Sequence, residues 1–288
     1  MDDQLSVNAN LPDKPKENEL VTNERQKSVL RAVTGNEWKK YTRVGMAALG
    51  GLPWVGSVIS AAATLSAENE QGVTNQLLYL WVKEHEGKLK EFGTTLNLLF
   101  GRFESFGDQI KERIESDEYI TLVRKTFRLW DQAETLEKRE MLRKVIANAG
   151  GLTIAQDDLI RMFLEWINKY HEFHFAVIRE VQKAGADGIT RAEIWSRIRG
   201  ERPQDNSSEA NLFTLLISDL SLGEVITQFR EVNSEGQRMR QKGQKRSSSS
   251  TMQSPFEDTK PYVLTGLGTE FVHYVMEELV PQIEKAKE

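Results

Sequence analysis

Cysteine is absent from all 288 residues of the chain. This absence excludes disulfide bonds, thiolate metal sites and cysteine nucleophiles, and it is typical of proteins from a reducing compartment. The N-terminal segment also lacks the basic and then apolar order of a secretory signal. We therefore expect a cytoplasmic protein.

Recognisable catalytic motifs are missing as well. The sequence has no phosphate-binding P-loop, no nucleophilic serine elbow and no HExxH zinc motif. Of its four histidines, only His171 and His174 in the segment HEFH lie close enough to share one helix face. Two ligands do not complete a zinc site, and no cysteine is there to supply more. We expect no enzyme, and thus no catalytic residue, no metal ligand and no cofactor.

Positive charge is also in short supply, because 38 Lys and Arg residues face 43 Asp and Glu residues, for a formal net charge of -5. This balance restricts any contact with nucleic acid to a local patch. Apolar residues, at 39%, are plentiful enough to form a core. Residues 1–21 are polar and acidic and predict a disordered tail.

Charged side chains disappear altogether between residues 44 and 67. The stretch meets the length criterion of about 20 residues for a membrane span. Glycines and a proline between residues 50 and 56 predict a break, so we expect two short apolar helices or a hairpin. The hairpin is either buried in a helical bundle or binds an anionic inner membrane beside Lys39, Lys40 and Arg43. The candidate membrane-engaging residues are Leu49, Leu52, Pro53, Trp54, Val55, Val58 and Ile59.

A long heptad pattern follows this stretch. Apolar side chains alternate in steps of four and three from Leu78 to Ile110, which is typical of a coiled-coil seam. The pattern predicts one helix over residues 76–114, about 60 Å long at about 1.5 Å per residue, that packs along other long helices. We therefore predict a helical bundle over residues 22–170 that forms homo-oligomers. The candidate self-association residues are Leu89, Phe92, Leu96, Leu99, Phe103 and Phe106.

The last third of the chain combines helices with short strands. Apolar spacing from Leu159 to Val181 predicts a helix that runs to Gly185. The helical segments RAEIWSRIRG and SEANLFTLLISDLSLG precede the β-rich segments VITQFREV and YVLT, and LGTEFVHYVMEEL closes as a helix. Three helices followed by a β-hairpin resemble a winged helix-turn-helix. The resemblance implies a mainly α fold in which a winged-helix-like domain with a small β-hairpin, residues 171–288, follows the bundle.

The third helix of this domain differs from that of DNA-binding winged helices. In those proteins the third helix enters the major groove and presents Arg, Lys, Asn or Gln to base edges. Here it contains no Arg or Lys, and we expect its exposed side chains to be Ser208, Glu209, Asn211, Thr214, Ser218 and Asp219.

The segment between the two predicted strands is a long basic wing. Residues 234–260 predict a disordered loop. In its first half, residues 235–246, five basic side chains stand against Glu235, with the arginines of residues 191–202 nearby. Two interpretations stay open: the domain binds a protein partner, or the wing contacts nucleic-acid phosphates without sequence readout. The candidate nucleic-acid-binding residues are Arg238, Arg240, Lys242, Lys245 and Arg246.

The order of the parts includes GLPWVG in an apolar stretch, a heptad helix, the segment EKREMLRKVIANA and a terminal winged-helix-like domain. This order resembles uncharacterised bacterial helical-bundle proteins of toxin and phage-defence type. The resemblance implies a cell-protective or cell-inhibiting role. We predict a non-enzymatic bacterial effector or adaptor that self-associates through its long helices and engages the inner membrane. The alternatives are a nucleic-acid-binding transcriptional regulator and a plain assembly scaffold. The partners would then be a second copy, a protein bound by the winged-helix-like domain, nucleic acid or the membrane.

Overall fold

The computed structural model describes residues 24, 26–31, 34–35, 39–57, 71–151, 156–229, 256 and 260–277. These residues are mainly helical, with a small sheet of two antiparallel strands, which confirms the predicted mainly α class and its small β-hairpin sheet. The winged-helix-like arrangement stays a prediction. The predicted tail and nearly all of the predicted wing lie outside the described residues. The chain divides into two compact units, Met1–Gln132 and Ala133–Glu288.

The N-terminal unit is held together by aromatic rings on the inner faces of its helices. These helices are α1 (Thr42–Gly50), α2 (Gln71–Glu84), α3 (Glu86–Phe106), α4 (Lys111–Glu115) and α5 (Asp117–Gln132). The ring of Phe92 in α3 packs edge-on against Phe127 in α5, with 5.4 Å between the centroids. Phe103 makes a similar contact with Tyr119, which is fully buried at the start of α5. Large rings buried in this way supply much of the apolar area that stabilises a small core.

The prediction of one continuous helix over residues 76–114 is wrong, because the structure divides this region into α2, α3 and α4. The first break is at His85, whose ring Nδ1 lies 3.0 Å from the carbonyl oxygen of Trp81 in the preceding turn. The second break is at Gly107, which has a φ of 74°. Side chains other than glycine rarely adopt that conformation, so Gly107 ends α3. The turn at residues 108–110 then redirects the chain into α4.

The uncharged stretch begins as α1 and breaks where its glycines and proline predict. Helix α1 ends at Gly50, and a new helical turn occupies residues 53–57. Helix α1 and the turn after it pack closely against α5, since a Cβ placed on Gly51 would lie 2.6 Å from the carbonyl oxygen of Arg124. The second half of the predicted hairpin, residues 58–67, lies outside the described residues.

The C-terminal unit combines helices with the sheet. Its elements are α6 (Leu136–Gly151), α7 (Asp157–Lys169), α8 (Glu172–Ala184), α9 (Arg191–Arg199), α10 (Ser208–Leu222), β1 (Ile226–Gln228), β2 (Tyr262–Leu264) and α11 (Gly266–Val275). Strands β1 and β2 pair antiparallel with Ile226 opposite Leu264. On the other edge of β2, Ile189 forms a two-way backbone bridge with Tyr262. The sheet thus draws together segments that are far apart in the sequence.

The boundary between the units differs from the predicted boundary at residues 170/171, because α6 and α7 belong to the C-terminal unit. Phe163 and Trp166 of α7 both pack against Phe271 of α11, with centroid distances of 5.4 and 5.3 Å. The side-chain amide of Asn148 in α6 donates to the carbonyl oxygen of Tyr274 at 3.0 Å. These contacts bury the apolar face of α11 within the C-terminal unit.

The single helix predicted to run to Gly185 is also wrong, because the chain turns between α7 and α8. Tyr170 and His171 have extended backbone conformations, with ψ of 142° and 166°. The apolar spacing continues across this turn because both helices bury their inner faces in the same core. Periodicity alone does not reveal such a break.

The close contact at Gly51 gives a first testable prediction. We expect Gly51→Ala to lower the free energy of unfolding by about 3 kcal/mol, because the added methyl group meets fixed backbone of α5. Gly56→Ala is the matched control, since a Cβ there meets nothing within 4 Å. Urea unfolding of both variants measures the difference. Equal stability of the two variants would contradict the packing of α1 on α5.

The position of the unit boundary gives a second prediction. A chain that starts at Ala133 retains α6 and α7, so we expect it to unfold cooperatively when heated. A chain that starts at His171 exposes the face of α11 that Phe163 and Trp166 cover, and we expect it to lose cooperative unfolding. Differential scanning calorimetry distinguishes the two. The boundary would be wrong if the shorter chain melted as cooperatively, and at the same temperature, as the longer one.

Candidate protein-binding face of the C-terminal unit

Helix α10 has a fixed orientation in the C-terminal unit. The hydroxyl of Ser207 caps its first turn by accepting a hydrogen bond from the backbone N–H of Ala210 at 3.1 Å. Its inner face packs within the unit, and Phe213 stacks on Phe256 and meets the edge of Trp195. The buried residues of this face are Ala210, Phe213, Leu216, Ile217 and Leu220.

The opposite face of α10 carries large apolar side chains in solvent. Leu212, Leu215 and Leu222 are 49%, 57% and 84% exposed. Because residues three, four and seven apart share one side of a helix, the three leucines form a single stripe. Ser208, Asn211 and Ser218 are also exposed on this side, and the helix has no Lys or Arg. We call this surface the α10 face.

A notch of about 330 Å³ opens beside the N-terminal end of the α10 face. Phe173 of α8 and Trp195 of α9 form its aromatic wall. The indole N–H of Trp195 donates to the carbonyl oxygen of Glu201 at 2.8 Å, and the guanidinium of Arg199 lies 4.9 Å from the ring centroid of Phe173. The residues that line the notch are Phe173, Trp195, Arg199, Glu201, Glu209 and Leu212. Two carboxylates, the guanidinium of Arg199 and an aromatic wall thus meet beside Leu212, and most of the exposed lining is polar.

Asp219 connects the α10 face to a buried histidine. Its Oδ2 lies 3.8 Å from Nε2 of His174, and its Oδ1 lies 3.8 Å from the ammonium of Lys169. His174 is only 3% exposed, and its Nδ1 accepts a hydrogen bond from the backbone N–H of His171 at 3.1 Å. A neutral ring in this arrangement carries its proton on Nε2, on the side of Asp219.

Burial keeps the ring of His174 neutral. Burial lowers its pKa from the ordinary value of 6.5 to about 4, against the opposing effect of the Asp219 carboxylate. The ring of Tyr170 stacks on His174 at 4.9 Å, and burial, followed by the nearby Asp219 charge, raises the pKa of that phenol to about 12. The cluster beneath the α10 face therefore places two uncharged rings beside the Asp219 carboxylate and the Lys169 ammonium.

The arginines near the predicted wing form contacts within the unit. Nε of Arg191 donates to the hydroxyl of Tyr262 at 2.9 Å, and Arg202 pairs with Asp205 at 2.9 Å. A guanidinium nitrogen of Arg197 lies 3.6 Å from Glu180. The five predicted nucleic-acid-binding residues of the wing, Arg238, Arg240, Lys242, Lys245 and Arg246, lie outside the described residues.

The predicted self-association residues lie inside the N-terminal unit, where all six are buried within a single chain. They therefore offer no surface to a second copy in this structure, and their assignment to an intermolecular seam is corrected. The apolar stripe of α3 packs instead against other helices of the same unit, as the contact of Phe92 with Trp130 illustrates. Self-association stays a prediction, and it would have to use other residues.

Most of the predicted membrane-engaging residues that the structure describes are buried or hydrogen-bonded within the N-terminal unit. Leu49, Leu52 and Val55 are buried, and the indole N–H of Trp54 donates to Oδ1 of Asp131 at 2.8 Å, whereas Pro53 is exposed. Val58 and Ile59 lie outside the described residues. In the part of the chain that the structure describes, every helix is too short or too polar to cross a bilayer.

The structure places the two histidines of the HEFH segment near each other. The rings of His171 and His174 are 5.9 Å apart, and the described residues contain no group of three His, Cys, Asp or Glu side chains suited to a metal ion.

The exposed leucines are the part of the candidate site that the sequence analysis missed. It considered only polar side chains of this helix for the outer surface. The signal was present nonetheless: the apolar residues from Ala210 to Leu222 are too many for one stripe, so a second set at positions 212, 215 and 222 has to face elsewhere.

Comparisons with protein families, curated proteins and solved structures found nothing that matches this chain.

The buried histidine gives a third prediction. The folded-state pKa of His174, about 4, is below the unfolded value of 6.5, so the unfolded chain takes up the proton first as the pH falls. The stabilising effect of the neutral ring is complete above pH 6.5 and is lost progressively towards pH 4. NMR titration of the ring measures this pKa directly. We expect Asp219→Asn to lower the pKa further, because the carboxylate that favours the imidazolium is removed. An unchanged or higher pKa in that variant would contradict the proximity of the two side chains.

Proposed function

We propose that this protein is a non-enzymatic adaptor whose C-terminal unit binds a protein partner through the α10 face. One observation carries the proposal: three leucines are exposed on one side of a helix whose other side is already buried. Exposed apolar patches that are flanked by polar residues are typical of protein-binding surfaces. Helix α10 therefore has one face that is buried within the unit and one apolar face that is exposed. The exposed face favours binding to another protein over a purely structural role for α10.

The order of elements in the C-terminal unit supports this assignment. The chain runs from α8 through the bridge residue Ile189 to α9 and α10, and then through β1 and β2 to α11. This order resembles a winged helix, and under that resemblance α10 takes the position of the DNA-recognition helix. A recognition helix needs cationic or amide side chains that reach base edges. The α10 face presents leucines and the carboxylate of Asp219, which suit a protein surface and repel phosphate.

The nucleic-acid-binding alternative depends on the basic wing, and the contacts of Arg191, Arg197 and Arg202 within the unit do not favour it. Homo-oligomer formation, binding to the inner membrane and the toxin or phage-defence role that the resemblance implies stay predictions. The adaptor proposal requires none of them.

Site-specific photocrosslinking in the source cells tests the adaptor proposal. A photoreactive residue in place of Leu215 is expected to crosslink a defined protein, because the α10 face contacts the partner there. The matched control places the same residue at Lys183, which is exposed on α8 of the same unit. Adding Leu212→Glu to the first variant should remove the crosslink. The same crosslinks from both positions, or none from position 215, would contradict the proposal.

Duplex DNA binding, measured by fluorescence anisotropy, separates the adaptor from the regulator. We expect no retention at physiological salt, since the α10 face carries no cation that would neutralise phosphates. A second variant replaces the five basic wing residues with Ser. Salt-dependent DNA binding that this variant abolishes, together with no crosslink at position 215, would favour the nucleic-acid-binding regulator.

A further inference from the structure

We infer that the partner segment of the α10 face is a basic amphipathic helix that packs its apolar side on the leucine stripe and places its basic flank at the notch beside Leu212. This inference rests on the proposed function and names the chemistry of the partner. Its support comes from the length of the leucine stripe, from the notch and from the distribution of charge around both.

The length of the stripe fits a helix of a few turns. Leu212 and Leu222 are ten residues apart, which corresponds to about 15 Å along the axis of α10. An amphipathic helix that lies along such a stripe contacts it with side chains at i, i+3 or i+4, and i+7. Leu215 lies one turn from Leu212, and Ser218 and Asp219 separate it from Leu222 on the same face. The apolar stripe of a partner helix would therefore pack along the leucine stripe of α10.

The notch suits the basic flank of a partner helix better than an apolar anchor. It has a volume of about 330 Å³, and most of its exposed lining is polar, with the carboxylates of Glu201 and Glu209 beside the guanidinium of Arg199. Trp195 is only 4% exposed, and Arg199 lies over the ring of Phe173, so little aromatic surface is open to a ligand. A Lys or Arg side chain of the partner would find two carboxylates there.

The charge around the stripe and the notch selects a basic partner. Glu201 and Glu209 line the notch together with one cation, Arg199, and Asp219 within the stripe lies 3.8 Å from the ammonium of Lys169. Carboxylates therefore outnumber cations here by three to two. In the described part of the chain, neither of the two glutamates forms an ion pair, whereas Arg202 is paired with Asp205. Lysine or arginine residues that flank the apolar stripe of a partner helix would lie beside these carboxylates and steer its approach.

The same charges argue against other occupants. In a symmetric contact between two α10 faces, Asp219 of one copy would lie near Asp219 of the other, and like charges at an interface oppose association. An anionic membrane surface would likewise be repelled by Glu209 and Asp219. A partner with positive charge on both sides of its apolar stripe avoids both penalties.

Binding of designed peptides to the full-length chain tests the inference. The probe is a labelled helix of about 18 residues, or five turns, with Leu and one Trp on one face and Lys on its flanks. The comparison peptide has the same apolar face and Glu at every Lys position. We expect the Lys peptide to bind at least about tenfold more tightly, with an affinity that falls as salt is raised, because the attraction is partly electrostatic.

Variants of the chain show whether binding occurs at the α10 face. Leu212→Ser with Leu215→Ser removes half-exposed side chains and leaves the buried face of α10 intact. We expect this double variant to bind the Lys peptide about tenfold more weakly. Glu201→Gln with Glu209→Gln keeps the notch and removes two charges, and we expect it to reduce the preference for the Lys peptide over the Glu peptide. The control is Leu136→Ser, which replaces a leucine of the same unit that is more exposed and lies on α6, with no expected effect. Circular dichroism confirms that each variant is folded.

The outcomes separate this inference from the proposed function. Equal or tighter binding of the Glu peptide, or Lys-peptide binding that no α10 variant weakens, overturns the inference. Concentration-dependent self-association that Leu215→Ser abolishes also overturns it, in favour of a second copy as the occupant. A crosslinked protein at position 215 combined with no binding of either peptide leaves the adaptor function standing and overturns only the basic-helix inference. Failure of both experiments rejects both.

Discussion

Burial of the inner face of α10 is the interaction on which the candidate site depends. Phe213 on that face lies among the rings of Phe173, Trp195 and Phe256, at centroid distances between 5.3 and 6.1 Å. These contacts fix the rotation of the helix about its axis, because a ring of that size cannot be turned into solvent without a large loss of buried apolar area. Once the rotation is fixed, Leu212, Leu215 and Leu222 have to face outward. A helix that is apolar on both sides usually has both sides covered, and this is the physical reason to assign a partner to the α10 face.

Charge then narrows the kind of partner. The neutral ring of His174 leaves Asp219 as a carboxylate that contacts Lys169 from one side and reaches the surface on the other. At the notch, Glu201 and Glu209 outnumber the one cation, Arg199. The resulting surface combines apolar contact area with acidic neighbours. Such a surface opposes nucleic acid and anionic lipid through the same Coulomb repulsion, while it favours a basic polypeptide.

Local sequence patterns predicted the helices and strands of the C-terminal unit well. The segments RAEIWSRIRG and SEANLFTLLISDLSLG correspond to α9 and α10, and the two β-rich segments contain β1 and β2. The breaks at His85 and between Tyr170 and His171 were missed, because the apolar period continues through each of them. Gly107 could have been identified as a helix end from its residue type, although the neighbouring glycines of the heptad region, Gly93 and Gly101, lie inside α3. A glycine marks a possible end, and packing determines whether the helix ends there.

The sequence by itself determined the mainly helical class, the lack of cysteine chemistry and which side chains are apolar enough to be buried. Only the tertiary structure decided which neighbour buries them. A heptad stripe such as that of α3 is equally satisfied by a helix of the same chain or of another copy, because the hydrophobic effect depends on area removed from water and not on connectivity. The same reasoning applies to α10, which carries leucines on both its buried and its exposed face. The packing of Phe213 buries one of those faces, so the other face remains exposed.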